Sequence, residues 1–214
     1  MADTGTTPRE RYRAQVRTEI KTHAWEQIAT AGASALSLNA IAKQMGMSGP
    51  ALYRYFASRD DLITALVRDA YRGLADTVRA AAGSGADLLG LAHTLRAWAL
   101  DDPQRYFLVY GTPVPGYHAP DDITEISDEI MTALLDAAVA HAPAATGSPL
   151  EAHLDGPRQW APGHRADAAA SAKALTFWTR LHGVLSLELA GHFQGMGLDP
   201  AVLFEAEAES LRRP

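Results

Sequence analysis

The chain has 214 residues, 47% of them hydrophobic, with 19 basic against 25 acidic side chains and a formal net charge of −6. That length holds one large domain or two small ones. The absence of cysteine excludes disulfides, thiolate metal sites and thiol redox chemistry. No apolar run approaches the ~20 residues of a membrane span, and the Arg-rich start lacks the apolar core of a secretory signal, so a cytoplasmic protein is expected.

The charge is unevenly placed. Residues 1–59 carry eight basic and four acidic side chains, a net +4, whereas residues 60–214 carry eleven against twenty-one, a net −10. A basic head on an acidic body is the footprint of a nucleic-acid binder with a separate second function. The acidic body disfavours wrapping DNA around the whole molecule.

Residues 1–10 are small and polar and read as a disordered tail, in which Arg9, like Arg11 and Arg13 after it, is placed either to reach DNA or to be solvated. The first helix is predicted over 11–31, with Val16, Ile20, Ala24 and Ile28 on one face and Gly32 as its stop. Two short helices follow. Ser37 caps the first, Leu38, Ile41, Ala42 and Met45 recur at helical spacing, and Gly46 ends it. Ser48 caps the second, Pro50 lies in its first turn, and Leu52, Tyr53 and Phe56 continue it. Two helices joined by so tight a turn form a helix-turn-helix, whose second helix lies in the DNA major groove. A long helix over 59–82 follows, opened by Ser58 and Asp61, with Leu62, Leu66, Ala70 and Leu74 inward.

The rest contains no hairpin signal and no sustained period of two. Helices are predicted over 86–100, 103–110, 121–141, 166–194 and 199–212, with 142–165 as a long connection. In the penultimate helix Leu175, Trp178, His182, Leu185, Leu189 and His192 form one stripe, and Phe177, Leu181 and Val184 form a second. A surface helix needs one apolar stripe, so two imply two partners. His182, Glu188 and His192 invite a metal reading. However, Glu188 lies about 120° from His182 around the helix and no third ligand joins them, so no metal and no cofactor is expected. No nucleophile–base arrangement or Gly-rich nucleotide turn is visible, so the chain is read as a non-enzyme.

The run Ile41-Ala42 through Met45-Gly46-Met47-Ser48 to Leu52-Tyr53-Arg54-Tyr55-Phe56, with Ser58-Arg59-Asp60-Asp61-Leu62, resembles the signature of TetR-type transcriptional regulators over about residues 12–82. Trp178-Thr179-Arg180-Leu181-His182-Gly183 resembles the Trp-to-His-Gly motif of one subfamily of their effector domains. The resemblance implies an all-α fold. An N-terminal three-helix DNA-binding head spans 11–58, a connecting helix 59–82, and a helical-bundle body for ligand binding and dimerisation 83–214. With position on the second helix, it assigns groove contacts to Ser48, Gly49, Pro50, Ala51, Tyr53 and Arg54. It places Ser37, Tyr55 and Arg59 on phosphates, whereas Phe56 reads as core.

The expected protein is a homodimeric, one-component repressor. Its partners are a palindromic double-stranded DNA operator and a small, largely apolar effector. Trp98, Phe107, Tyr110, Phe177, Trp178 and His182 are the candidate effector-pocket residues, and His182 reads equally as a buried histidine with one hydrogen bond. Leu185 and Leu189, with Phe204, Ala208 and Leu211 of the last helix, are expected to form a four-helix contact between two chains. Two other readings are a ligand-independent structural DNA binder, favoured by a body without a cavity, and an all-α enzyme, which needs an acid–base pair in the body.

Overall fold

The computed structural model describes residues 7–141, 144–156, 158, 160, 161 and 163–212. Among these every regular element is helical, as expected, and no helix is long and apolar enough to cross a membrane. The described residues divide into two compact units, 7–69 with 107–120 and 70–106 with 121–212.

In the first unit, helix α1 spans Pro8–Ala31 and buries Val16, Ile20, Ala24 and Ile28, the predicted stripe. It starts earlier than expected. The Thr7 hydroxyl accepts from Glu10 N–H, and the Glu10 carboxylate accepts from Thr7 N–H at 2.7 Å. This reciprocal cap draws Pro8–Glu10 out of the expected tail and into the helix; the rest of that tail, residues 1–6, lies outside the described residues. A 3-10 turn, Ala33–Ala35, leads to α2, Leu38–Gln44, which the Ser37 hydroxyl caps by accepting from Ala40 N–H.

Gly46 ends α2 at φ 64°. Met47 N–H donates to Ala42 O at 2.8 Å and Gly46 N–H to Lys43 O at 3.2 Å, a Schellman motif that satisfies the last carbonyls. Helix α3, Gly49–Leu52, is shorter than the predicted second helix. Tyr55 N–H donates three residues back, to Leu52 O at 2.8 Å, tightening residues 53–55 into a turn that still buries Phe56. Helix α4, Arg59–Gly83, begins where the Ser58 hydroxyl accepts from Asp61 N–H. Its residues 59–69 belong to the first unit and 70–83 to the second.

The second unit also contains α5 (Leu88–Asp101), the start of α6 (Pro103–Tyr110), α7 (Asp121–Ala140), α8 (Pro149–Leu154), α9 (Ala168–Leu189) and α10 (Pro200–Arg212). Helix α9 packs against α5, α7, α8 and α10. Helix α8 lies inside what the sequence suggested was a connection. The Ser148 hydroxyl caps it, and the Glu151 carboxylate accepts from Thr146 and Gly147 N–H at 2.8–3.2 Å. Helix α9 stops at Leu189 rather than near 194, because the chain turns through Gly191, Gly195 and Gly197, all at positive φ. His192 therefore lies beyond the stripe it was expected to extend.

Candidate nucleic-acid interface

Helix α3 is held by its inner face and open on its outer one. Leu52 and Phe56 are buried, whereas Tyr53 is 45% exposed and Ser48, Pro50 and Arg54 are exposed beside it. Gly49, Ala51 and Tyr55 are half-buried. The Ser48 hydroxyl makes no capping bond, which leaves its donor and acceptor available at the helix start.

Two arginines of α1 secure the turn that follows this helix. Arg17 donates to Tyr55 O and lies over the Phe56 ring, 4.2 Å from its centroid. Arg13 donates to Arg54 O at 3.4 Å. Cations are well placed against helix-end carbonyls. Ser37, besides capping α2, donates its N–H to Gln27 Oε1 at 3.0 Å.

Arg59, expected on a phosphate, braces the segment ahead of α2. Its Nε donates to Leu36 O at 3.2 Å, and its Nη2 to Ala33 O at 2.9 Å and Ser34 O at 3.1 Å. These bonds gather the carbonyls of the 3-10 turn ahead of α2. Arg59→Ala should therefore cost the first unit about 1–3 kcal/mol, measured by denaturant melts. The salt dependence of DNA binding separates this bracing role from a phosphate contact, since loss of one contact lowers the log–log slope by about one.

The six aromatic and His residues expected to form a pocket fall into different units, Phe107 and Tyr110 in the first and Trp98, Phe177, Trp178 and His182 in the second. His182 lies between two rings, with the Trp178 centroid 4.0 Å away and the Tyr106 ring stacked at 5.6 Å. The Tyr106 hydroxyl lies 3.0 Å from His182 Nδ1 and 2.9 Å from Ser186 Oγ. Burial lowers the His182 pKa to about 4 and raises that of the Tyr106 phenol, the latter opposed by the bond to Ser186. His182 is thus a neutral, hydrogen-bonded histidine at pH 7. Its partner Tyr106 lies 76 residues away, a pairing that no local spacing shows, whereas Ser186 lies one helical turn on.

The unfolded chain binds this proton more tightly than the native one. Stability from His182 is therefore complete above its ordinary pKa near 6.5 and is lost as pH falls towards 4, by up to about 3 kcal/mol. His182→Gln should flatten the stability–pH curve between those values, as read by thermal melts across the range.

Trp98 lines a cleft of about 540 Å³ with Gly73, Thr77, Thr94, Ala97, Asp101 and Arg105. A groove of about 820 Å³ lies where α4 and α7 face Trp160, Ala161, Gly163 and His164. One wall carries Glu129, whose carboxylate accepts from Arg72 at 2.8 and 2.5 Å and from Arg79 at 2.8 Å. Glu188, considered for a metal, instead pairs with Arg96 at 2.5 Å and ties α9 to α5. Among the described residues no group of three or more His, Asp or Glu side chains is arranged to hold a metal ion.

Of the residues expected at a contact between two chains, only Leu189 keeps part of its side chain exposed. Leu185, Phe204, Ala208 and Leu211 are buried within the single chain, and α9 and α10 pack against each other. The outward apolar residues of these helices and their connecting turn are Leu187, Met196, Leu198 and Val202, exposed by 38–65%.

Residues 20–66 match the family described as bacterial regulatory proteins, tetR family, and residues 88–211 match the tetracyclin repressor-like C-terminal domain. The chain is 36% identical over 217 residues to the HTH-type transcriptional regulator Rv1816 of Mycobacterium tuberculosis, covering 93% of this chain and 92% of that protein. A Mycobacterium bovis regulator, Mb1846, matches to the same extent. The crystal structure of SCO4313 is 71% identical, covers 96% of this chain and 98% of that one, and superposes with a TM-score of 0.90. A tetR-family regulatory protein from Rhodococcus RHA1, at 16% identity and a TM-score of 0.65 over 93% of this chain and 96% of that one, shares the fold.

Proposed function

Because the chain belongs to the TetR family and is a DNA-binding transcriptional regulator, we propose that it is a homodimeric repressor released from a palindromic operator by a small molecule. The observation that carries this reading is the exposure of α3. Ser48, Pro50, Tyr53 and Arg54 face outward while Leu52 and Phe56 anchor the helix from within. Gly49 and Ala51 allow close approach, and with Pro50 they suit apolar contact with thymine methyls. Tyr53 and Arg54 supply polar contacts, and Ser37 and Tyr55 lie at positions suited to phosphates. Arg59 braces the turn before α2, with phosphate contact as its second role.

A twofold operator calls for a twofold protein, and the outward faces of α9 and α10 offer the surface for it. The clefts of the second unit favour a ligand-responsive regulator over a structural DNA binder. Release is a population shift, in which the effector binds the conformer unable to span two half-sites more tightly than the one that can. A protein acting on DNA in this way works in the cytoplasm.

The test is a titration of the protein–operator complex with a broad metabolite panel. At least one compound is expected to release DNA, and its affinity for free protein should exceed its affinity for the complex by the factor it costs DNA binding. Release by none would leave the structural DNA binder as the better reading.

A further inference from the structure

The cleft beside Trp98 is lined by two residues that each carry a buried N–H without a hydrogen bond. Trp98 is 6% exposed, and its indole Nε1–H makes no hydrogen bond. A buried donor left unpaired is costly, and such groups are few in native proteins. The guanidinium of Arg105 lies over the same ring, 4.7 Å from its centroid, and its Nε also lacks a partner. Arg105 Nη2 donates to Trp98 O at 3.3 Å and to Asp101 Oδ2 at 3.1 Å, which holds the guanidinium in place. Opposite the indole, α4 carries Gly73, where a Cβ would stand 3.8 Å from Nε1. A glycine inside a long helix costs about 1 kcal/mol of helix propensity relative to alanine; here it brings the α4 backbone close to the indole edge with no side chain between them. The Thr77 and Thr94 hydroxyls donate to Gly73 O and Gly90 O, so towards the cleft they offer methyls and acceptors.

We propose that this cleft binds an organic carboxylate, one oxygen accepting from Trp98 Nε1–H and the charge held by Arg105. The inference builds on the ligand-responsive reading above and adds to it a ligand class and a site. Two unpaired donors and no unpaired acid call for an acceptor. Asp101, the acid on the wall, is 77% exposed and already paired with Arg105. A ligand carboxylate takes its place on the guanidinium, one ion pair exchanging for another. The volume of about 540 Å³ suits a small organic acid, and Ala97 and the threonine methyls supply its apolar wall.

The test uses the full-length protein labelled with ¹⁵N, in which four tryptophans give four indole N–H signals. The Trp98 signal is identified by its absence in Trp98→Phe. Titration with phenylacetate is expected to move that signal downfield and leave the other three in place. Phenylacetamide should act far more weakly and phenethylamine not at all. Arg105→Met, which keeps the stacked stem, should weaken phenylacetate binding about 10–100-fold. Asp101→Asn should strengthen it. Gly73→Ser, which keeps Trp98, should move the indole signal in the ligand-free protein and blunt the response.

A Trp98 signal unmoved by acetate, phenylacetate and decanoate up to about 10 mM, a concentration that fills a millimolar site, would overturn the proposal. So would an equal response to the amide. Compounds that release operator DNA equally well from the wild type and Arg105→Met would overturn this site while leaving ligand-responsive repression intact.

Discussion

Leu187→Asp combined with Val202→Asp is expected to give a folded monomer whose operator affinity falls by about 100-fold or more. Both side chains face outward from a single chain, at 45% and 63% exposure. Charging them therefore costs the monomer about 0.5 kcal/mol or less each. Across a twofold axis formed by these faces the same four carboxylates would repel one another. A monomer keeps the phosphate contacts of one half-site and loses the second binding event, which linkage makes effectively intramolecular. Sedimentation velocity and filter binding to operator and random DNA would check this, with operator binding falling far more than non-specific binding. The pair Leu185→Asp and Leu211→Asp serves as a contrast. Those positions are 0% and 8% exposed, and charging them should unfold the second unit.

Phe56→Ala and Tyr53→Ala should separate, although the two aromatics are three residues apart. Phe56 is 2% exposed and lies under the Arg17 guanidinium. Its truncation is expected to cost about 3–5 kcal/mol, because it removes the anchor of α3 and leaves a cavity. Tyr53 is 45% exposed, so Tyr53→Ala should change stability by about 0.5 kcal/mol or less. That variant should instead lose about 1–3 kcal/mol of operator affinity, with weaker effects on random DNA. Chemical denaturation of both variants, read beside their operator affinities, tests this division. Equal stability losses would contradict it.

The head was legible in the sequence because its signals are local. The stripe Val16–Ile20–Ala24–Ile28, the Ser37 cap and the Gly46 stop each depend on residues a turn or two apart, and each is present as read. The α1 start was missed although Thr7-Pro8-x-Glu10 carries a capping-box pattern, and α8 was missed despite the same pattern in Ser148-Pro149-x-Glu151. The body was legible in its helices but not in their partners. Two stripes on α9 signalled two contacts, but periodicity alone does not distinguish a partner in the same chain from one in a second copy. Leu185 is buried within its own chain, in a helix that packs against α5, α7, α8 and α10. The Tyr106–His182 bond and the Gly73–Trp98 approach pair residues 76 and 25 positions apart, a matter of packing that no local pattern encodes.

The most direct measurement is a hydroxyl-radical footprint of the purified protein on the DNA sequence it selects from a random pool. The predicted result is two symmetric protected patches, centred about 34–36 Å apart or a small multiple of that, both lost with Tyr53→Ala. A single protected patch, or protection without sequence preference that survives Tyr53→Ala, would contradict a dimer reading two half-sites through α3.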